Sequence, residues 1–212
     1  IIAGNHDYIS PRSNYIKFEW SKNVHMLMED KISSVYFEDL NTQVYGLSYH
    51  KREIKDPILD KVEIQNKERI NILLAHGGTP SNIPMDVKEI ERKGFDYIAL
   101  GHIHKPQQLG ERMAYAGSME PLDKNETGKR GFIRGQIIKK NQDSILTFDF
   151  IEHARRQYIP IKLHVHDTMT NGELQDLAKD KIKRYDKKHI FQFIIKGYRD
   201  PDIKFEVDKL TR

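Results

Sequence analysis

Three short runs gather the side chains able to hold a metal ion or move a proton: Gly4-Asn5-His6-Asp7, His76-Gly77-Gly78 and Gly101-His102-Ile103-His104. Asn5 offers a neutral carbonyl oxygen. His76, His102 and His104 offer imidazole nitrogens, which suit first-row divalent metals. His6 lies beside Asp7, the pairing in which a carboxylate orients an imidazole. An imidazole so held is suited to protonating an alkoxide leaving group. Each run has a plainer explanation when taken alone. Gly-Asn-His-Asp is rich in turn residues, His76 would pass for a buried histidine bonded to backbone, and one H-x-H among ten histidines is weak.

The elements around these runs strengthen them. Ile70–Ala75 is a nearly continuous apolar stretch, as expected of a strand buried on both faces. Phe95–Leu100 reads the same way. In a layered α/β core the C-terminal ends of such strands collect at one edge, where ligands bind. His76 and His102 should therefore be neighbours, with Gly101 giving a tight turn and His102 and His104 projecting to the same side of an extended chain. Ile1–Gly4 reads as the end of a buried strand, which leads us to expect that the natural protein starts upstream.

Other strands are expected at Val24–Met28, Ser34–Phe37, Gln43–Tyr49, Met113–Ala116, Phe132–Lys139 and Ile145–Phe150, the last three as antiparallel neighbours. A helix is expected from Asp86 to Lys93, with Asp86 as N-cap, and a short one over Ser13–Trp20. Past residue 150, Tyr158–Val165 reads as a strand, and Thr170 with Glu173 makes a capping box opening a helix. Ile190–Ile195 is a further strand. The chain thus divides into residues 1–153 and a small α/β unit, 154–212.

Composition narrows the chemistry. With 212 residues and no cysteine, the chain has neither a disulfide framework nor a thiolate metal site. Absence of cysteine suits a reducing compartment, and a cytoplasmic setting is expected. No apolar run approaches the roughly 18 residues that span a bilayer. The net charge of +4 falls entirely beyond residue 150, where 14 basic residues face 10 acidic ones. A basic appendage on a neutral body suits contact with a polyanion as well as it suits a solvated surface.

Taken together and in this order, the three runs resemble the later motifs of the calcineurin-like metallophosphoesterases: G-N-H-[DE], a His followed by Gly, and G-H-x-H. The resemblance implies a layered α/β, β-sandwich core flanked by helices, and two divalent metals clamping a phosphoryl group and generating a hydroxide nucleophile. Manganese is the leading candidate, with Mg, Zn and Fe as alternatives. It implies that Asn5, His76 and His102 bind one metal and His104 the other. His6 would protonate the leaving oxygen and Asp7 would orient it. The family's early D-x-H and G-D-x-x-D motifs are not found here, so the donor set is neutral and weak metal binding is expected.

A second resemblance is finer. Tyr115–Leu122 with Asn125–Gly131, and the restart at Arg155–Ile161, are similar to SbcD-type exonuclease subunits of DNA double-strand-break repair, whose capping domain begins there. This implies DNA as substrate and a coiled-coil, SbcC-like ATPase as partner, with a homodimer also in view. Lys124, Lys129, Arg130, Arg155, Arg156 and the Lys179–Lys188 cluster are the candidate phosphate contacts. Two other functions stay open: a phosphoesterase for small substrates such as cyclic nucleotides or phosphoproteins, and an inactive DNA-binding piece.

Overall fold

The computed structural model describes residues 1–210. Six strands form its main sheet: β1 (Ser33–Phe37), β2 (Thr42–Gly46), β3 (Ile70–His76), β4 (Tyr97–Gly101), β5 (Gln107–Gln108) and β6 (Met113–Tyr115), in the order β1-β2-β3-β4-β6-β5. The central pairs β2–β3, β3–β4 and β4–β6 are parallel. Leu73, Ala75, Ile98 and Leu100 are buried in one cluster with Tyr45, Ile90, Phe95 and Met113. Asn71, the polar interruption in β3, is fully buried and satisfied: its N–H donates to Asp96 Oδ2 and its side chain to the Asn66 and Arg69 carbonyls. The α/β architecture expected from the sequence is present.

Several local expectations are corrected. Met113–Ala116 was expected to be antiparallel, but β6 runs parallel to β4. The chain overshoots to the sheet edge as β5, then turns inward as β6, antiparallel to β5. Val24–Met28 and Ile1–Gly4 form no regular strand. Leu27 N bonds Ile1 O, joining the two segments, Tyr49 N bonds Ala3 O, and the Ser48 hydroxyl breaks the ladder. It accepts from Ala3 N–H at 2.9 Å and donates to Leu27 O at 2.6 Å, taking the place of backbone partners. The Ser13–Trp20 helix shrinks to one turn, α1 (Asn14–Lys17), because it buries no residue and Phe18 is already extended.

Helix α2 (Val87–Arg92) follows the sequence signal closely. Asp86 Oδ1 accepts from Lys88 and Glu89 N–H, and Gly94 takes a φ of +83° just past the end. Strands β7 (Gly131–Lys140) and β8 (Asp143–Glu152) form a ten-residue antiparallel hairpin turned at Asn141, φ +57°. Lys139 Nζ reaches Asp96 Oδ2 at 2.7 Å, both side chains being almost fully buried. The Arg112 guanidinium donates to Ser144 Oγ and Ser144 O, at 2.8 and 2.7 Å. Those contacts tie the hairpin to the main sheet.

The chain separates into two compact units, one comprising Ile1–Ser118 and Gly131–Glu152, the other Met119–Arg130 and the chain from His153 on. In the second unit β9 (Tyr158–Val165) and β10 (Ile190–Gly197) pair in parallel around α3 (Asn171–Ile182). Ile161, Leu163, Leu174 and Ala178 are its buried core. The Thr170–Glu173 capping box is formed in both directions. Pro160 sits within β9, which pairs on one side with β10 and on the other meets only a single bridge at Thr127; a proline is tolerated in such an edge strand. No helix among the described residues is long and apolar enough to cross a membrane.

Candidate functional site

Parallel register decides where the first histidines meet. His76 is the last residue of β3 and pairs with Gly101, the last of β4, so His102 leaves the sheet beside His76. The two imidazole centroids lie 5.3 Å apart at 62°. Asn5 is buried, and its Oδ1 is 2.9 Å from His76 Nε2. Two glycines make room for the His76 ring. A Cβ on Gly4 would come within 2.5 Å of His76 Cε1, and one on Gly101 within 3.0 Å of Nδ1. Gly101 is thus needed for clearance rather than for a turn.

The turn falls on His102 itself, with φ +94°. This corrects the expectation of an extended H-x-H: the strand stops at Gly101, and the L-residue after it occupies the region that favours glycine. Such backbone strain is concentrated at functional sites. His102 Nε2 lies 3.2 Å from Thr79 Oγ1. His104 is exposed, and its carbonyl accepts from Ser118 N–H at 3.0 Å. Two tyrosines hold the loop after β3: Tyr49 OH donates to His76 O and Tyr115 OH to Gly77 O, each at 2.7 Å.

His6 is exposed, and Asp7 does not orient it. Asp7 Oδ1 instead accepts from Gly4 N–H at 2.8 Å, and Oδ2 from Tyr15 OH at 2.5 Å. Asp7 therefore closes the Gly4–Asp7 loop on itself and anchors it to α1. Burial, then the hydrogen bond and charge of Asp7, push Tyr15 up to about 12, so it remains a donor across the neutral range. Tyr15 is stacked with Trp20, whose indole N–H donates to Tyr15 O.

Electrostatically the histidines form one cluster. Burial pushes His76 down to about 4, helped by repulsion from His102, His104 and His6 and opposed by Asp7. His102 is lowered by burial first, then by His104 and His6. Both rings are neutral at pH 7, the form that coordinates a metal. The donors that these runs bring together are neutral, and a dication held by them would need carboxylates from elsewhere to complete its shell. Asp7, the carboxylate among these runs, is occupied by Gly4 and Tyr15. No group of three His, Cys, Asp or Glu among the described residues is placed to hold a metal.

Sequence patterns did not reveal Thr79, Tyr15, Tyr49 or Tyr115. Their hydroxyls act through single hydrogen bonds, and only Tyr115 falls within a motif-bearing segment singled out from the sequence, where its hydroxyl had no assigned part. Among the expected phosphate contacts, Lys124, Lys129, Arg155 and Arg156 are exposed. Arg130 is not: it is 3% exposed, and its guanidinium turns back to donate to Thr127 O at 3.2 Å. A side chain so enclosed is withdrawn from the surface that a polyanion would touch.

The pattern of the calcineurin-like phosphoesterase family matches residues 1–106, half of the chain. The chain belongs to the calcineurin-like phosphoesterases. Members of this family bind divalent metals. This phosphoesterase is 29% identical over 146 residues to the uncharacterized metallophosphoesterase YhaO of Bacillus subtilis, a match covering 62% of the chain and 35% of that protein. It is 31% identical over 138 residues to the DNA double-strand break repair protein Mre11 of Methanocaldococcus jannaschii, covering 59% and 37%. To the Mre11 of Methanopyrus kandleri it is 27% identical over 135 residues, covering 55% and 29%. The matched region thus spans only about a third of the length of these curated relatives.

Proposed function

We propose that the chain carries the histidine half of a metal-dependent nuclease centre that hydrolyses DNA phosphodiesters in repair. The observation that carries this reading is the convergence of Asn5, His76 and His102 at the aligned ends of β3 and β4. In this reading Asn5, His76 and His102 face one metal and His104 a second, manganese being the expected ion. His6, exposed beside the cluster, donates the proton to the departing sugar oxygen. Asp7 serves by fixing the loop from which Asn5 and His6 project. Because the donors in place are neutral, the centre works only when carboxylates from outside this set join it. Residues 154–212 act as a capping domain, and a coiled-coil ATPase is the expected partner of the whole protein. The Mre11 relatives support the choice of DNA over other phosphodiesters.

The test compares this chain with a version extended upstream to include D-x-H and G-D-x-x-D motifs. With Mn present, the extended version should degrade labelled duplex DNA, and the 212-residue chain should show little cleavage. His6→Ala in the extended version should abolish cleavage while leaving Mn binding by calorimetry intact. Rapid turnover of cyclic nucleotides or phosphopeptides with no DNA cleavage would replace this reading with a small-substrate phosphoesterase. Two tight Mn sites on the 212-residue chain would refute the incomplete centre.

A further inference from the structure

The second unit presents a sheet face with a one-sided charge. In β9 and β10 alternate residues point to opposite faces. Ile159, Ile161, Leu163 and Val165, with Phe191, Phe193 and Ile195, pack into the cluster shared with α3. The other face then carries Pro160, Lys162 and His164 on β9, and Gln192, Ile194 and Lys196 on β10. Neither strand contains an aspartate or glutamate. Register sets Lys196 directly opposite His164, and Ile194 opposite Lys162. Lys162 and His164, two residues apart on one strand, are separated by about 6.6 Å, and Lys196 stands about 4.8 Å across from His164.

The lysines on α3 are arranged differently. Lys179 is paired with Asp176 at 3.6 Å and Lys183 with Asp180 at 3.4 Å. Lys162 and Lys196 are exposed and have no ion-pair partner among the described residues. Charge repulsion from a neighbouring carboxylate works against a phosphate at Lys179 and Lys183, and no such carboxylate stands on the sheet face. Lys162 and Lys196 thus stand on a face with no acid of its own, whereas Lys179 and Lys183 each sit beside an aspartate.

We propose that this outer sheet face, through Lys162, His164 and Lys196, is a docking surface for the phosphate backbone of duplex DNA. The inference rests on the nuclease reading for the choice of DNA, and deepens it by relocating the contact. Lys179, Lys183 and Arg130, among the contacts expected from sequence, give way to the sheet. Duplex DNA presents about one charge per 1.7 Å of its axis, so a strand pair with three closely set basic groups can engage successive phosphates without reading bases.

The experiment is fluorescence anisotropy of a labelled duplex with the 212-residue chain in EDTA, repeated from low to moderate salt. Lys162→Gln with Lys196→Gln should weaken binding about tenfold or more and lower the slope of log K against log salt by about 1.8, two phosphate contacts at about 0.9 each. Lys162→Arg with Lys196→Arg should restore binding. Lys179→Gln with Lys183→Gln should change affinity less than about twofold, because Asp176 and Asp180 beside them offset their attraction for a phosphate. Thermal melts of all variants check that each folds. If the chain binds duplex and the sheet pair is without effect, or the helix pair has as large an effect, the surface is wrong and the nuclease reading stands. If the wild-type chain binds no duplex even at low salt, both fall together.

Discussion

His76 stands in a slot that two missing side chains create. Gly4→Ala should push a methyl group into its ring, and overpacking of this kind costs about 1–3 kcal/mol. Urea unfolding should show that loss, and the His76 ring resonances should move; an unchanged midpoint would mean the slot has slack. The same ring makes stability depend on pH. Folded His76 titrates at about 4 rather than the ordinary 6.5, so between these values the unfolded chain takes up a proton that the folded chain refuses. Its contribution is complete above pH 6.5 and is lost as pH falls toward 4, with His102 acting in the same direction. In EDTA, the urea midpoint should drop between pH 7.5 and pH 5, and drop less in His76→Gln. At this scale the meeting of Asn5, His76 and His102 was legible, because two of them follow buried parallel strands whose ends must coincide. Thr79 and Tyr15 were not, since a hydroxyl that makes one hydrogen bond leaves no spacing behind. The bonds of Asp7 were not legible either, because a carboxylate next to a histidine in sequence is also next to Gly4 N–H and Tyr15 OH in space.

Elements were readable where a local signal and the tertiary environment agree. β3, β4, α2 and α3 all carry either a nearly continuous apolar run or a cap residue in place. α3 depends on its cap in a measurable way: Thr170→Ala should remove about 1 kcal/mol, seen by thermal melting. The direction of β6 could not be read, since Met113–Tyr115 presents the same side chains whether parallel or antiparallel. The irregular run at Val24–Met28 escaped because a single side chain, Ser48, substitutes for the ladder. The β7–β8 hairpin was visible as two strands, but its attachment was not. That attachment is the buried Lys139–Asp96 pair, and removing one member of such a pair costs about 3–5 kcal/mol by stranding the other charge. Lys139→Met should therefore destabilise far more than the double change Lys139→Met with Asp96→Asn, a comparison that denaturant unfolding makes directly. Similar losses in both would show that packing, not charge, holds the hairpin.

For the molecule as a whole, family and fold class followed from three motifs in order, and the C-terminal bias in charge followed from counting. What counting could not show is which cations are already satisfied. Only coordinates separate Lys179 and Lys183, each beside an aspartate, from Lys162 and Lys196, on strands with no acid at all. The linear division at residue 153 also meets a topological fact. The chain passes between its two compact units at Ser118–Met119, at Arg130–Gly131 and at Glu152–His153. Residues 119–130 belong with the later unit, where Thr127 bridges Tyr158 and Glu120 accepts from Arg155 N–H. A gene fragment beginning at residue 153 would leave that strap behind, whereas one beginning at 119 would keep it and carry the hairpin along as a passenger. Grafting the later unit onto another scaffold should thus succeed from Met119 and fail from His153, and no single protease cut can leave both units whole.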